Sequence, residues 1–383
     1  MRSRPVHPGS RTAKRRRKFA RPGRIRGPRT RIEHVASPPS DPALETLLLP
    51  FAGGGPTWPQ GPVLFLRARD GWALRQFPLQ GLVCEQSFRP DADALARSGL
   101  EVVEAASLAS LRFPLVLVLP PRQREEMRAL FARAVSLAAP GGIVAAAMAN
   151  DEGAKSGESD LCKLAGLGGK LAKNHCRAFW TPPLRGEHDA ELFAQWSQLD
   201  APRPILGGRF VSRPGVFAWD RIDTASALLS ECLPDDLAGI GADLGAGYGF
   251  LSAEVLSRNA GVRELHAYEA EARALACARI NLASFADRCR LDFRWHDVTA
   301  GLPQPYDFIV TNPPFHAAQK AGRPDIGQRF IAVAAQALKP GGRLWLVANR
   351  HLPYEQTLGT NFGRVRVLAE RDGFKVVEAV KPR

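Results

Sequence analysis

No run of about 18 apolar residues occurs in this 383-residue chain, so a membrane-spanning helix is not expected. The six cysteines are scattered and none forms a C-x-x-C pair, which argues against a zinc site and against a disulfide framework. Isolated thiols are typical of a reducing compartment, so we expect a cytoplasmic protein without a metal. Hydrophobic residues make up 45% of the chain, which suits two ordinary globular domains.

Acidic side chains are missing from residues 1–32, although this segment contains 13 of the 52 Lys and Arg residues. The remaining 39 basic residues nearly balance the 38 Asp and Glu residues, so the net charge of +14 belongs to this one segment. A stretch dominated by Pro, Gly and Arg buries too little apolar surface to fold alone. We expect a disordered basic tail that binds RNA phosphates. The alternatives are a solvated extension, an overlong assigned start, or a transit peptide, although a transit peptide would need an amphipathic apolar spacing.

Strand-like and helix-like segments alternate in two stretches, from about residue 43 to 200 and from about residue 214 onward. This alternation predicts parallel sheets with helices on both faces. We therefore predict an α/β fold with two tandem Rossmann-like domains. Their predicted bounds are 43–205 and 206–383, after a tail and linker at 1–42, with a Pro- and Gly-rich junction at 201–215.

The two stretches repeat each other. The first stretch contains FPLVLVLPPRQ at 113–123, and the second contains the similar YDFIVTNPPFH at 306–316. Further along, APGGIVAAAMAN at 139–150 corresponds in the same way to KPGGRLWLVANR at 339–350. Leu119 stands where Asn312 does, and Arg122 stands where Phe315 does. The double proline therefore does not itself require the amide and the ring, which favours a functional role for both and an inert first copy. Chance similarity is the alternative, because P-G-G before a strand is common turn chemistry.

The segment GADLGAGYGFLSAEVL at 241–256 predicts a strand, a glycine-rich turn and the start of a helix. Gly245 and Gly247 allow the backbone to turn tightly and to approach a ligand closely. The spacing differs from the G-x-G-x-x-G of dinucleotide-binding folds. Asp243 would repel a diphosphate, but it suits the sulfonium and ammonium groups of S-adenosylmethionine. A purely structural glycine turn is the alternative.

Acidic residues also end the next two predicted strands. Glu269, at the end of RELHAYEA, can accept hydrogen bonds from both hydroxyls of a ribose. Asp297, in FRWHDV, can accept a hydrogen bond from an adenine amino group. Since a surface glutamate is also common near the start of a helix, a structural role for Glu269 is the alternative.

The fourth strand ends in N-P-P-F. The side-chain oxygen of Asn312 and the carbonyl of Pro313 can each accept one N–H of a conjugated amine, which directs the nitrogen lone pair at a methyl donor. Pro313 and Pro314 stiffen the backbone and so preorganise both acceptors. Phe315 offers a face on which a base can stack.

DLGAGYGFLS, NPPFH and VANRHLPYE followed by FKVVEA resemble class I S-adenosylmethionine-dependent methyltransferases of the small-domain family. The similarity is greatest to the bacterial ribosomal RNA guanine-N2 methyltransferases of the small- and large-subunit types, and it covers about 43–383. It implies two tandem methyltransferase-like domains, the first degenerate. It also implies a cofactor site, formed by Asp243, Gly245, Gly247, Glu269 and Asp297. The catalytic motif that it implies is formed by Asn312, Pro313, Pro314 and Phe315. Ala225 stands where relatives often have glycine.

The favoured prediction is methylation of guanine N2 in ribosomal RNA, with S-adenosylmethionine as cofactor. The substrate would be the RNA or a partly assembled subunit, and the segment 317–327 would form a substrate loop. One alternative is methylation of another nitrogen, either N6 of adenine or the side-chain amide of a protein glutamine. The other is a catalytically inactive RNA-binding or assembly protein. Intact Asn312 and Asp243 argue against an inactive protein. The internal duplication favours a monomer.

Overall fold

The fold contains two open α/β sheets in tandem, and a computed structural model describes it for residues 40–314 and 324–383. The strands of the first sheet are β1 (Val63–Leu66), β2 (Leu82–Glu85), β3 (Glu101–Val103), β4 (Phe113–Val118), β5 (Ala138–Ala149), β6 (Gly169–Lys173) and β7 (Cys176–Trp180). They lie in the order β3-β2-β1-β4-β5-β7-β6, in which β7 is antiparallel to both of its neighbours. The accompanying helices are α1 (Pro42–Ala52), α2 (Arg89–Arg97), α3 (Arg124–Leu137), α4 (Ala154–Ala165) and α5 (Ala190–Ser197).

A hairpin of β8 (Arg203–Ile205) and β9 (Phe210–Ser212) precedes the second sheet. The strands of that sheet are β10 (Ala238–Leu244), β11 (Gly261–Glu269), β12 (Arg290–Trp295), β13 (Tyr306–Thr311), β14 (Leu338–Asn349), β15 (Arg364–Arg371) and β16 (Phe374–Val380). Its helices are α6 (Thr224–Glu231), α7 (Phe250–Arg258), α8 (Ala272–Leu282), α9 (Pro324–Ala337) and α10 (Glu355–Asn361). The strand order is β12-β11-β10-β13-β14-β16-β15, so the second sheet repeats the first strand by strand.

The repeat extends to an irregularity in the fifth strand of each sheet. Gly141 in β5 and Gly341 in β14 both have φ of +78°, and the pairing shifts beside both glycines. Between the shifted pairs the fifth strand has three more residues than its neighbour, and the P-G-G segment lies within this irregular part of the strand, where glycine accommodates the left-handed backbone. The predicted tandem α/β fold is confirmed.

Each sheet is covered on both faces, as β14 illustrates. Trp345 and Val347 are buried in the core on one face, whereas Leu344 and Leu346 are buried in the core on the other. Successive side chains of a strand point to opposite faces, so a central parallel strand needs a nearly continuous apolar run. Burying each of these side chains contributes about 1.5–3 kcal/mol to stability.

The described chain begins just before α1. The side chain of Asp41 caps this helix by accepting hydrogen bonds from the N–H groups of Ala43 and Leu44, each at 3.1 Å. The predicted tail and linker, 1–42, therefore ends in the cap and first residue of a helix. The predicted basic tail lies outside the described residues. Across 40–314 and 324–383, no helix is long and apolar enough to cross a membrane.

Candidate active site

The candidate site lies where β10 and β13 end side by side in the second sheet. Leu244 and Thr311 lie opposite each other, and Thr311 Oγ1 donates a hydrogen bond of 2.7 Å to the Leu244 carbonyl. Gly245 and Asn312 follow directly. A Cβ placed on Gly245 would lie 3.8 Å from the backbone oxygen of Asn312. The glycine loop and the N-P-P segment are therefore neighbours at the carboxyl edge of the sheet, where α/β folds bind ligands.

The glycine loop turns in the left-handed region of backbone space. Gly245 has φ of +77° and Gly247 has φ of +57°. The N–H groups of Gly245 and Ala246 both donate to the carbonyl of Tyr268, at 2.9 and 3.0 Å. A Cβ on Gly247 would meet no atom of the described residues within 4 Å, so this side of the loop is open to a ligand as far as they extend. Glycine is required here by the backbone conformation, and its surface can receive a ligand.

Asp243 lies completely buried beneath this loop. Its Oδ2 accepts a hydrogen bond of 2.7 Å from Ser252 Oγ in α7, whereas its buried Oδ1 has no partner among the described residues. Burial raises the pKa of Asp243 to about 7, and the Ser252 hydrogen bond opposes that rise. An unpaired buried carboxylate oxygen is costly, so a cationic or N–H donor, direct or through water, would be stabilised here.

Glu269 joins the glycine loop to the start of α8. Its Oε2 accepts from the N–H of Gly247 at 2.7 Å, and its Oε1 accepts from the N–H of Glu271 at 2.8 Å. Burial raises the pKa of Glu269, and the two backbone N–H groups oppose that rise. Because each carboxylate oxygen has a second lone pair, both can still accept a hydroxyl.

Asp297 lies two residues beyond the end of β12. Its Oδ1 accepts hydrogen bonds from the N–H and the hydroxyl of Thr299, at 2.9 and 2.7 Å, and so caps a short 3-10 turn at 298–300. This local role accounts for an aspartate at this position. Its predicted contact with adenine stays a prediction.

The amide of Asn312 has a defined orientation. Its Nδ2 donates to Asp223 Oδ2 at 2.9 Å and to Ser226 Oγ at 2.8 Å. Its Oδ1 is buried and has no hydrogen-bond partner among the described residues. Because Asp223 and Ser226 accept both amide hydrogens, the Oδ1 atom of Asn312 can act as a hydrogen-bond acceptor. This is the geometry that recognition of an amine requires.

Asp223 and Ser226 were not among the residues predicted from the sequence. Asp223 is the N-cap of α6, and its Oδ2 also accepts from the N–H of Ser226 at 2.9 Å. The signal was an N-cap pattern, D-x-x-S, in the segment where only Ala225 had been considered. The hydroxyl of Tyr248 donates to the carbonyl of Arg221 at 3.0 Å, which connects the glycine loop to this segment.

The remainder of the N-P-P-F motif is described in part. Pro313 is buried and Pro314 is exposed. Phe315 and most of the predicted substrate loop lie outside the described residues. Within 40–314 and 324–383, no group of three or more His, Cys, Asp or Glu residues could hold a metal ion.

These features fit S-adenosylmethionine. Among the described residues, Asp243 Oδ1 has no partner and the space beside Gly247 is open, and Glu269 has lone pairs for a ribose. Asn312 Oδ1, a hydrogen-bond acceptor without a partner among the described residues, follows the end of the neighbouring strand β13. The fold and this site together define a class I methyltransferase domain, and the family model of the methyltransferase small domain matches residues 207–378.

Whole-chain comparisons narrow this class. The chain is 31% identical over 273 residues to the ribosomal RNA small subunit methyltransferase C of Shewanella pealeana, covering 70% of this chain and 78% of that relative. It is 38% identical over 170 residues to the protein of the same name from Erwinia tasmaniensis, covering 44% and 48%, respectively. The chain belongs to the family of ribosomal RNA small subunit methyltransferases C.

A solved structure agrees with this assignment. The T. thermophilus 16S rRNA N2 G1207 methyltransferase, in complex with AdoMet and guanosine, matches with a TM-score of 0.74 and 26% identity. The match covers 90% of this chain and 92% of that protein. The predicted resemblance to tandem-domain, S-adenosylmethionine-dependent ribosomal RNA methyltransferases is confirmed. The roles of the individual site residues stay predictions.

Proposed function

We propose that this protein transfers a methyl group from S-adenosylmethionine to the exocyclic N2 amine of a guanine in small-subunit ribosomal RNA. The observation that carries the proposal is the buried Oδ1 of Asn312, which has no partner among the described residues while its amide nitrogen donates to two other side chains. The names of the relatives and the guanosine complex of the T. thermophilus enzyme support this choice of substrate.

Asn312 and Pro313 orient the amine. The lone pair of guanine N2 is spread into the ring, so the nitrogen attacks well only if its two N–H bonds are directed away from the methyl donor. Asn312 Oδ1 accepts one N–H and the Pro313 carbonyl accepts the other. Pro313 and Pro314 restrict the backbone, and Asp223 restricts the amide. The acceptors are thus preorganised before substrate binds.

The glycine loop and the acidic residues hold the methyl donor. S-adenosylmethionine supplies a methyl group whose bond to sulfur breaks as its bond to guanine N2 forms. Asp243 faces the cationic part of the cofactor. Glu269 accepts hydrogen bonds from the ribose hydroxyls, and Asp297 accepts one from the adenine amino group. Gly245 and Gly247 permit close backbone approach. One N2 proton leaves to water after transfer, so no general base is needed beforehand.

The first domain, residues 43–205, is proposed to be degenerate, and residues 206–383 to be catalytic. Leu66 lies opposite Val118 as Leu244 lies opposite Thr311, which aligns the two sites residue by residue. Phe65 then takes the place of Asp243, and Leu119 that of Asn312. Arg67 takes the place of Gly245 and shares its left-handed backbone, with φ of +51°. Its side chain pairs with Glu126 at 3.0 Å, so a long cationic side chain stands at the position of the open glycine.

The remaining parts of the proposal concern partners and location. The substrate is ribosomal RNA, free or in a partly assembled subunit, and the basic segment 1–32 contacts its phosphates. The protein acts as a monomer, because the duplicated chain already carries both domains. It acts in the cytoplasm, where its unpaired cysteines stay reduced. Guanine N2 lies on the minor-groove side, so a looped or flipped base is the expected target.

Asn312→Ala tests the proposed role of the amide. Removing one preorganised polar contact should lower turnover by about 10²–10³-fold and leave S-adenosylmethionine affinity nearly unchanged. Turnover comes from transfer of a radiolabelled methyl group to undermodified small-subunit RNA, and affinity from calorimetry. Turnover close to that of the native protein would contradict the role.

A further inference from the structure

The segment that follows Glu269 is hydrogen-bonded to the first domain. The N–H of Arg89 donates to the Ala270 carbonyl at 2.8 Å, and the N–H of Ala272 donates to the Ser87 carbonyl at 2.9 Å. Phe88 and Glu271 form an antiparallel bridge between them. Residues 87–89 and 270–272 thus form a small antiparallel ladder, which we call the interdomain ladder. Each of its segments follows the second strand of its own sheet, so the contact is nearly symmetric.

Trp295, the last residue of β12, donates hydrogen bonds to both segments of this ladder. Its indole Nε1 donates to the Ser87 carbonyl at 2.9 Å and to the Ala270 carbonyl at 2.8 Å. The guanidinium of Arg89 lies 4.9 Å from the centre of the indole ring. Both strands of the ladder are therefore bound to one rigid side chain of the second sheet.

A group of charged residues extends the contact. Arg273 Nη1 lies 2.6 Å from Glu126 Oε1, and the Arg273 side chain also pairs with Asp200 and donates to the Pro214 carbonyl at 2.8 Å. Glu126 belongs to α3 of the first domain, and its side chain is only 9% exposed. Glu126, Asp200 and Arg273 line a cavity of about 310 Å³ whose other lining residues belong to the first domain. Without Arg273, the buried Glu126 would keep only its ion pair with Arg67 among the described residues, so the Arg273 pair stabilises the contact between the domains.

The interdomain ladder is connected by a hydrogen bond to Glu269, the proposed ribose-binding residue. The N–H of Glu271, at the centre of the ladder, is one of the two backbone donors that orient the Glu269 carboxylate, at 2.8 Å. Glu271 Oε1 in turn accepts from the N–H of Arg273 at 3.1 Å. The position of the Glu271 N–H therefore depends on the ladder on one side and on the Arg273 ion pairs on the other.

We propose that the first domain positions Glu269 to receive the ribose hydroxyls of the cofactor, by means of the interdomain ladder and the Glu126–Arg273 pair. This rests on the proposed function in one respect, that Glu269 contacts the ribose. The backbone N–H of Arg89 and the side chains of Glu126 and Arg273 have a positioning role, since none of them belongs to the proposed ligand contacts. The degenerate domain thus contributes to cofactor affinity without binding a cofactor itself.

Two pairs of variants isolate this effect. Arg89→Pro removes the N–H that donates to Ala270, at the first position of α2, where proline is tolerated. Arg89→Ala loses the same side chain but keeps that N–H. Arg273→Gln removes the two ion pairs that Arg273 forms with Glu126 and Asp200 of the first domain. Its control is Arg128→Gln. Arg128 lies in α3, as Glu126 does, but its ion pair of 2.9 Å with Asp160 lies inside the first domain.

Calorimetry would compare S-adenosylhomocysteine with its analogue lacking both ribose hydroxyls. Loss of one hydrogen bond to the charged Glu269 should weaken binding of the parent ligand about tenfold in Arg89→Pro and Arg273→Gln. These two variants should also lose most of the preference for the hydroxyls. Arg89→Ala and Arg128→Gln should keep both properties, and thermal unfolding of all four variants identifies any effect of general destabilisation.

Each outcome has one meaning. Equal weakening for both ligands, or native affinity in Arg89→Pro and Arg273→Gln, would overturn the positioning role. If the native protein itself showed no preference for the ribose hydroxyls, the contact between Glu269 and ribose would be wrong, and with it this part of the proposed function. Methyl transfer to RNA by the native protein reports on the proposed function independently.

Discussion

Replacing Asp223 should lower methyl transfer without changing cofactor affinity, because Asp223 holds the amide of Asn312. Asp223 Oδ2 accepts hydrogen bonds from Asn312 Nδ2 at 2.9 Å and from the N–H of Ser226 at 2.9 Å. Asp223→Ala removes both. The amide of Asn312 then keeps only Ser226 Oγ as a partner. If the amide rotates by 180°, it presents N–H groups to the N–H groups of the substrate.

The magnitude follows from the two hydrogen bonds. A hydrogen bond to a charged group contributes about 1.5–3 kcal/mol and one to a neutral hydroxyl about 1 kcal/mol. Asp223→Ala therefore removes the larger part of the energy that orients the amide. A loss of about 2 kcal/mol, fully expressed in the transition state, would slow the reaction by about 30-fold. We expect a single-turnover rate lower by about tenfold for Asp223→Ala and by a smaller factor for Ser226→Ala.

Loss of the helix cap needs its own control. Removing a cap costs about 1 kcal/mol of stability, and Asp189→Ala removes the comparable cap of α5, where Asp189 Oδ1 accepts from Leu192 N–H at 2.9 Å. Asp223→Asn keeps an acceptor oxygen and should recover part of the rate. The reasoning is refuted if single-turnover rates at saturating S-adenosylmethionine are the same for Asp223→Ala and Asp189→Ala.

Three further predictions follow from the same structure. Burial raises the pKa of Asp243 to about 7, so the free energy of unfolding should fall as pH rises from about 4 towards that value, because the folded state binds the additional proton. Urea unfolding of Asp243→Asn should lack this component, and equal slopes would contradict it. Calorimetry should find one S-adenosylmethionine per chain, whereas two similar sites would refute a degenerate first domain. Deleting residues 1–32 should flatten the dependence of log RNA affinity on log salt and leave the methylated base unchanged, whereas equal slopes would show that the tail does not contact phosphates.

The sequence predicted the tandem sheets and the strand ends because those signals are local. Alternating apolar segments mark parallel strands, and Asp243, Glu269 and Asn312 each stand at the end of one. The anchor of Asn312 was missed because Asp223 lies 89 residues away in the chain. The interdomain ladder was missed for another reason, since hydrogen bonds between backbone groups require no particular side chains. The orientation of Asp243 towards Ser252 was also not predicted, because burial depends on how α7 packs.

Nucleoside analysis of the product tests the central claim most directly. Small-subunit ribosomal RNA that lacks its guanine-N2 methyl groups would be incubated with the native protein and labelled S-adenosylmethionine, then digested and mapped by mass spectrometry. The account predicts a single new N2-methylguanosine, which is absent when Asn312→Ala replaces the native protein. Label found in N6-methyladenosine or in protein, or no transfer to any RNA, would contradict it.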